Sequence, residues 1–461
     1  MVTYQEFLEE KGKGKTAEFI ARAISSHEAD EIVLTAKEAN EYNRQRNTTI
    51  RQFVQTIFSA SGARLENVVA SNKKKASNFF RRLNVQRNTY SLGNGVMFTQ
   101  EGTKEQLGGD AFDTILAKAG YKALIHGVCF LFLNVDRVHM FPVTEFCPMY
   151  DEMTGEMMAG IRYWRLDEQK PMTAVLYEVD GYTVYVAEKG NDYRETEKKR
   201  AYILKTKQAP ADAQAVIALE ENYGGALPIV PLWGSELRQS TLIGMKDGID
   251  NYDLVSNGWA NDLSDCAQIY WILENYGGMN EADKANFRAS LLYQRVASID
   301  TQDGGKVTPY TPEIPYAARE AYLNMLRRDI YDDFGALDVS QISGGEKTAT
   351  EIRAAYQPMD ENADDFEYEI IECVKKLLAL KGIEDAPQFK RNRIANTREE
   401  VEIVLEEAQY LDDETVLELL PNITPEMVEE ILARRDANAL ASMSRMEKVD
   451  KAMRDEGDTE E

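Results

Sequence analysis

One stripe of apolar side chains restricts the fold of this chain more than any other feature of its sequence. The stripe recurs at alternating intervals of three and four residues, which keeps it on one side of an α-helix. We predict a helix over 236–267, much longer than the usual ~12 residues of a globular helix. A single apolar side on such a helix requires a packing partner. The stripe consists of Leu242, Met245, Ile249, Tyr252, Ser256, Trp259 and Leu263.

Two glycines lie one turn apart beside this stripe. Gly244 and Gly248 each cost a helix up to ~1 kcal/mol relative to alanine. A neighbouring helix that approaches closely would recover that free energy, so we predict close helix packing at both positions.

Three aspartates follow the same helix at intervals of three residues. Asp247, Asp250 and Asp253 therefore lie roughly on one face, and we interpret this face as a solvated acidic surface. A metal site or a general acid is the alternative, but the face lacks the histidine, cysteine or glycine turn that such chemistry uses.

Two more helices are expected further along the chain. Pro315 suits the first turn of a helix over 314–334. A second long stripe predicts a helix over 348–385 with a kink at Pro358. The second stripe consists of Ile352, Tyr356, Met359, Ala363, Phe366, Ile370, Val374 and Leu377.

The part of the chain before the first long helix changes character near Tyr121. Residues 1–90 read as helical, whereas KALIHGVCFLFLNV and the short β-branched segments after it read as strands. Asp180 and Gly181 predict a tight hairpin turn, because glycine accepts positive φ. Helices followed by an antiparallel meander define an α+β fold.

Charge is unevenly distributed along the 461 residues, whose formal net charge is −25. Residues 41–93 carry ten Lys and Arg and two Glu, while residues 397–461 carry twenty acids and seven bases. We expect a disordered acidic tail over 441–461. The basic cluster reads as a solvated or protein-contacting surface, with direct DNA binding as the alternative. This cluster comprises Lys73, Lys74, Lys75, Arg81, Arg82 and Arg87.

No motif for catalysis, metal binding or a cofactor is found in the sequence. His27, His126 and His139 lack metal-ligand spacing, and we expect core or edge positions for them. The four cysteines form no CxxC pair and are expected to be reduced thiols. The glycine-rich stretch before Lys347 fails as a phosphate loop, since Glu346 separates Gly345 from Lys347. No apolar run is long enough for a membrane span, and no secretory signal is evident, so we expect synthesis in the cytosol.

Several stretches, taken in order, carry a family resemblance. They are SNKKKASNFFRRLNVQRNTYSLGNGVMF, the passage FPVTEFCPMYDEMTGE from Phe141 to Glu156, IDNYDLVSN from Ile249 to Asn257, and GGEKTATEI at the start of a long helix. The chain thereby resembles the portal proteins of tailed double-stranded DNA bacteriophages of the siphovirus type.

The resemblance implies a ring of about twelve subunits at one capsid vertex of the virion, assembled in the host cytoplasm, with double-stranded DNA moving through its centre. It implies as partners the terminase large subunit, the major capsid and scaffolding proteins and a head-tail adaptor, with no membrane, cofactor or enzymatic activity. The alternatives are a nucleic-acid-processing enzyme with an unrecognised carboxylate site and another minor head or connector protein.

The resemblance also implies a division of the chain. Residues 1–235 are expected to form a wing, 236–267 and 314–334 two stem helices, 268–313 a clip, 348–385 a long wing helix and 386–440 a helical crown. Residues 335–347 are expected to form a tunnel loop that projects into the channel. The tunnel-loop residues are Asp338, Val339, Ser340, Gln341, Ile342, Ser343, Gly344, Gly345, Glu346 and Lys347.

Overall fold

A computed structural model describes most of the chain. It covers residues 2–58, 62–66, 71–188, 190–209, 212–266, 270–274, 281–283, 285–286, 306–310, 316–342, 349–392 and parts of 401–437. The chain divides into two compact units. The first unit comprises residues 1–338 and 357–392, and the second comprises residues 339–356 and 393–461.

Among the described residues, six α-helices precede the long helices of the first unit. Thr3 caps the first of them, because its hydroxyl accepts a hydrogen bond from the Glu6 amide at 3.3 Å. The expected helical N-terminal region is interrupted by a short hairpin. The helices are α1 (Tyr4–Gly12), α2 (Thr16–Glu28), α3 (Glu31–Asn43), α4 (Thr48–Gln52), α5 (Phe79–Leu92) and α6 (Asp110–His126), and the hairpin strands are β1 (Thr56–Phe58) and β2 (Arg64–Glu66).

Antiparallel sheets form the rest of the N-terminal half, as the predicted α+β class requires. Five strands follow one another in the order β10-β9-β8-β7-β6, and a second sheet has the order β13-β4-β5. The predicted turn at Asp180 and Gly181 is confirmed, with Gly181 at φ 138°. The strands are β3 (Val96–Met97), β4 (Val128–Asn134), β5 (Arg137–Pro142), β6 (Phe146–Tyr150), β7 (Met157–Trp164), β8 (Met172–Glu178), β9 (Gly181–Ala187), β10 (Tyr193–Arg200), β11 (Ile203–Ala209), β12 (Asp212–Glu221) and β13 (Ile229–Trp233).

The apolar run KALIHGVCFLFLNV is not a single strand, so that expectation is wrong. Its first part ends α6 at His126, and β4 begins at Val128. Gly127 separates them with φ 90°, and a Cβ there would lie 3.0 Å from the Ser240 amide nitrogen. Only glycine combines this backbone angle with such a close approach.

Three hydrophobic cores are found among the described residues of the first unit. One joins β4 and β5 to α6 and to the later long helix, and one lies between α1, α2 and the five-stranded sheet. The third brings two long helices together with α3, α5 and α6. The third core contains Ala39, Tyr42, Phe80, Leu83, Ile125, Leu242, Met245, Ile249, Ile330, Tyr331 and Phe334.

The three predicted long helices are present, with shorter limits. α7 spans Leu242–Cys266, α8 spans Tyr316–Phe334 and α10 spans Ala349–Ala379 with Pro358 inside it. α7 begins at Leu242 and not at the predicted residue 236. The Ser240 hydroxyl caps the helix there, because it accepts a hydrogen bond from the Leu242 amide at 3.1 Å. Between α7 and α8, the strands β14 (Tyr270–Glu274) and β15 (Lys306–Tyr310) pair antiparallel.

Two short helices of the second unit lie wholly within the described residues. α9 spans Val339–Ile342 and α11 spans Asp413–Leu419, where Asp412 caps the helix by accepting the Thr415 amide at 3.2 Å. The tail prediction over 441–461 lies outside the described residues. A short strand of the first unit, β16 (Gln388–Phe389), pairs with β3. Among the described helices, none is both long and apolar enough to cross a membrane.

Candidate assembly and channel site

The two helices predicted as stems pack against each other. Ile249 of α7 and Ile330 of α8 belong to one buried core. A Cβ at Gly248 would lie 3.2 Å from Ile330 Cγ1, so the predicted close packing is found at this glycine. Gly244 has no atom within 4 Å of the corresponding position, so in a single chain the prediction does not hold there. Gly244 is exposed.

The three aspartates of α7 do not form one solvated face, which corrects that expectation. Asp247 is exposed. Asp250 accepts hydrogen bonds from the Tyr42 and Thr49 hydroxyls, both at 2.6 Å. Asp253 is only 1% exposed. Residues three positions apart are rotated relative to each other around the helix axis. Asp247 therefore faces solvent, whereas Asp250 and Asp253 face α3 and α4.

Asp253 begins a row of three buried polar side chains that we call the polar ladder: Asp253, Asn257 and Asn261. These side chains accept hydrogen bonds from backbone amides of an extended segment, residues 71–78. Ser77 donates to Asp253 at 2.9 Å, Lys75 to Asn257 at 2.6 Å and Lys73 to Asn261 at 2.7 Å.

The spacing of the polar ladder follows from backbone geometry. Four residues of an α-helix rise about 6 Å, and two residues of an extended chain rise about 6.6 Å. Side chains at every fourth position of α7 therefore meet every second amide of a segment that runs antiparallel to it. Asn257 also donates to the Lys75 carbonyl at 2.8 Å, so its amide group satisfies both polar groups of one residue.

Two residues, Asn47 and Ser77, donate hydrogen bonds to the buried carboxylate of Asp253. Burial raises the pKa of Asp253, while hydrogen bonds from Asn47 and Ser77 oppose that rise. Asn47 also donates to the Ser77 carbonyl at 3.3 Å and so joins α4, the segment and α7.

The predicted basic cluster is divided between two elements. Lys73, Lys74 and Lys75 lie on the extended segment, whereas Arg81, Arg82 and Arg87 lie on α5.

The last member of the basic cluster is not on the surface. Arg87 is buried, forms an ion pair with Asp365 at 3.2 Å and donates to the Asn362 carbonyl at 2.7 Å. It therefore stabilises the packing of α5 on α10. Arg391 has a comparable role at the far side of α10, where it pairs with Asp360 at 3.0 Å and Glu367 at 2.9 Å.

The end of α8 leads into the predicted tunnel loop through a tight turn. Gly335 has φ 60°, and a Cβ at this position would collide with the Asn362 amide. Arg327 pairs with both oxygens of Asp338 at 3.0 Å, which fixes the fourth residue of the segment expected to form the loop. A loop was expected at Val339 to Ile342, but these residues form the short helix α9. Residues 343–347 lie outside the described residues.

The histidines and cysteines provide no reactive site in the described part of the chain. His27 and His126 are buried, and burial lowers their pKa values to about 4 and about 3. His139 is exposed on β5. Cys129, Cys147 and Cys373 are buried free thiols, as expected. No group of three or more potential metal ligands occurs among the described residues.

Sequence reasoning missed Asn257 and Asn261 as functional residues. Their signal was present, because Asp253, Asn257 and Asn261 recur every four residues on a helix whose apolar stripe weakens towards its end. Short amide side chains at this spacing are unfavourable for a helix unless they bind backbone groups elsewhere.

These features define the chain as a mixed helix and antiparallel-sheet subunit, with two long packed helices on either side of a strand pair. The family described as "Phage portal protein, SPP1 Gp6-like" matches residues 64–439. The chain belongs to this family of phage portal proteins.

Two curated relatives are both called portal proteins. The protein of Bacillus phage SPP1 is 27% identical over 330 residues, which cover 67% of this chain and 62% of the relative. The protein of Clostridium phage phiCD119 is 26% identical over 203 residues, which cover 42% of this chain and 44% of the relative. This chain therefore spans less than two thirds of each relative.

Solved structures give weaker matches. The virion of a native gene transfer agent particle matches with a TM-score of 0.41 and 11% identity, covering 75% of this chain and 89% of the other. The neck of an empty gene transfer agent particle matches with a TM-score of 0.42 and 11% identity, covering 76% and 91%. TM-scores at this level do not establish a shared fold.

Proposed function

We propose that this chain is the subunit of a portal ring at one capsid vertex, through which double-stranded DNA is packaged and ejected. The single observation that carries the proposal is the family match over residues 64–439. The packed pair α7 and α8, with β14 and β15 between them in sequence, suits a stem that leads to a clip. In this proposal the clip binds the terminase large subunit and later a head-tail adaptor.

The remaining parts of the ring are assigned by the same proposal. The N-terminal helices and sheets, together with α10, form the wing, which contacts capsid and scaffolding proteins. Residues 386–440 form the crown. Residues 335–347 form the tunnel loop, and Lys347 is its basic residue closest to the start of α10. A loop rich in glycine and serine suits contact with moving DNA because it is small and compliant.

Exposed acidic groups on the stem suit a channel that DNA slides through. Like charge keeps the phosphate backbone from forming the many contacts that would hold it in place. Asp247 is the appropriate aspartate to test, because Asp250 and Asp253 hold other parts of the chain. We expect Asp247→Lys to reduce the packaged DNA length in infected cells, with the exposed wing residue Asp167→Lys as the matched control. Unchanged packaging in both would exclude Asp247 from the channel.

Electron microscopy of the purified chain tests the proposal as a whole. We expect hollow rings of about twelve subunits with a radial outer fringe. A chain that stays monomeric across salt, pH and concentration, and within the particle, contradicts the proposal.

An enzymatic role is the competing proposal, and a turnover assay separates the two. The portal role predicts no nuclease or ATPase activity from the purified chain with Mg²⁺ or Mn²⁺. Sustained turnover that survives further purification would favour an enzyme. A smaller closed assembly without a central hollow would favour another minor head protein.

A further inference from the structure

The extended segment 71–78 and its surroundings form a basic face on an acidic protein. Neither residues 44–58 nor residues 71–100 contain a single Asp or Glu, although the whole chain has 78 of them. Asp253, the α7 carboxylate that binds this segment, is only 1% exposed. We define the basic face by its exposed cations, which are Arg46, Arg51, Lys73, Lys74, Lys75, Arg81 and Arg82.

The polar ladder fixes this face in place. Each lysine of a mobile segment would lose conformational freedom on binding, which weakens the interaction. Here the amides of Lys73 and Lys75 are already bound by Asn261 and Asn257, so the backbone is ordered before any partner arrives. Two buried amide side chains devoted to a surface lysine segment indicate that the position of the lysines matters.

Several cations of the face have no partner among the described residues. The side chains of Arg46, Arg51 and Lys75 make no hydrogen bond or ion pair with described residues. Two concavities share Lys75 in their lining. One, of about 310 Å³, is lined by Lys75, Arg82, the ring of Phe79 and also Asp253, and the other, of about 190 Å³, is lined by Arg51, Lys74 and Lys75. The smaller one has no acidic residue in its lining, so it can receive an anionic group between its cations.

We propose that the basic face, whose residues differ from those proposed to line the channel, binds the phosphodiester backbone of double-stranded DNA independently of base sequence. Three successive lysines on an extended backbone span about 7–10 Å, over which a duplex presents about four to six phosphates. Lysine is depleted in protein interfaces but common in phosphate contacts, which favours nucleic acid over an acidic protein surface. The net charge of −25 does not prevent this, since charges beyond about 10 Å are screened at 0.1 M salt.

Fluorescence anisotropy with a duplex of about 30 base pairs at low salt tests the proposal on the full-length chain. The variant is Arg46→Ala, Arg51→Ala and Lys75→Ala together. We expect at least a tenfold loss of affinity and a decrease of about 3 in the slope of log K against log salt. The matched control is Lys118→Ala, Arg137→Ala and Lys170→Ala, which removes the same charge from exposed positions elsewhere. It should stay within twofold of the parent.

A second variant separates positioned charge from charge alone. Asn257→Ala with Asn261→Ala keeps every cation but releases the segment, so affinity should fall several-fold while the salt slope stays unchanged. Equal loss in the charge-matched control, or no duplex binding by the parent chain at low salt, overturns the proposal.

Mass photometry of the same variants identifies the competing explanation. If the Arg46, Arg51 and Lys75 substitutions alter the oligomeric state but leave duplex binding intact, the face is an interface between copies and the proposal fails. Because duplex binding is measured on whatever oligomer forms, its failure leaves the proposed ring function untouched.

Discussion

His27 shows how a single buried side chain makes the stability of this protein depend on pH. It is 4% exposed, and its Nδ1 lies 3.1 Å from the Tyr163 hydroxyl. Burial lowers the pKa of His27 to about 4, from the 6.5 that it would have in the unfolded chain. The unfolded chain therefore binds more protons between pH 6.5 and pH 4, and stability is lost as the pH falls through this range.

We predict that His27→Gln reduces this acid destabilisation. Between pH 7 and pH 5 the native histidine accounts for a loss of about 2 kcal/mol in the free energy of unfolding. Urea unfolding of parent and variant at both pH values measures the difference. His139→Gln, at an exposed position on β5, is the control and should keep the pH dependence of the parent. Parallel curves for His27→Gln and parent would show that another group controls the acid transition.

At the scale of single residues, the sequence predicted which histidines and cysteines are buried better than it predicted which part of the chain each side chain contacts. The histidines and the three described cysteines were expected to be unreactive, and the structure places two histidines and these cysteines inside. Asp253 was assigned to solvent because periodicity shows which residues share a face but not which neighbour covers it. The covering segment comes from residues 71–78, more than 170 positions earlier in the chain.

The packed pair of α7 and α8 is an element whose two glycines should respond differently to substitution. Alanine gains up to ~1 kcal/mol over glycine in a helix. At Gly244 the space is open, so we predict that Gly244→Ala stabilises the isolated protomer by about 1 kcal/mol. At Gly248 the added methyl group meets Ile330 at 3.2 Å, so Gly248→Ala should gain less or become destabilising. Urea midpoints of the two variants provide the comparison.

The same pair of variants distinguishes packing within a chain from packing between chains. If a neighbouring copy covers Gly244 in the ring, Gly244→Ala should stabilise the protomer while it weakens ring assembly. Equal effects of both substitutions on the protomer would contradict the assignment of Gly248 alone to the contact with α8.

The turn after α8 should tolerate no side chain. Gly335→Ala combines a positive φ with a collision against Asn362, whose amide donates to the Phe334 carbonyl. We predict a loss of about 1–3 kcal/mol in the free energy of unfolding. Gly382→Ala is the matched control, because Gly382 also has positive φ but nothing within 4 Å of a Cβ. A loss at Gly335 no larger than at Gly382 would exclude the steric contribution.

At the scale of elements, the long apolar stripes predicted the helices well, because many residues repeat the same signal. The boundary between α6 and β4 was missed because a continuous apolar run is compatible with both helix and strand. Gly127 sets that boundary through contact with residues 239–240, which a local pattern cannot reveal.

At the scale of the whole molecule, the division into two units could not be read from the sequence. Residues 339–356 belong to the second unit and 357–392 return to the first, yet one continuous helix, α10, contains the change. A change in composition can mark a domain boundary where the chain leaves one domain and does not return to it. Here the chain enters the second unit, returns to the first and enters the second again. The acidic excess of residues 397–461 was visible, but it does not indicate where the second unit begins.

The charge of the whole chain leads to the last prediction. Each protomer carries −25, so the proposed ring would bring together charges of the same sign. The screening length falls from about 30 Å at 0.01 M salt to about 3 Å at 1 M. We therefore predict that the fraction of protein in rings rises with NaCl concentration, as measured by mass photometry at fixed protein concentration. An uncharged solute at equal osmolality is the control and should change little. Rings that dissociate as salt is added would show instead that ion pairs between subunits outweigh the repulsion of the whole molecule.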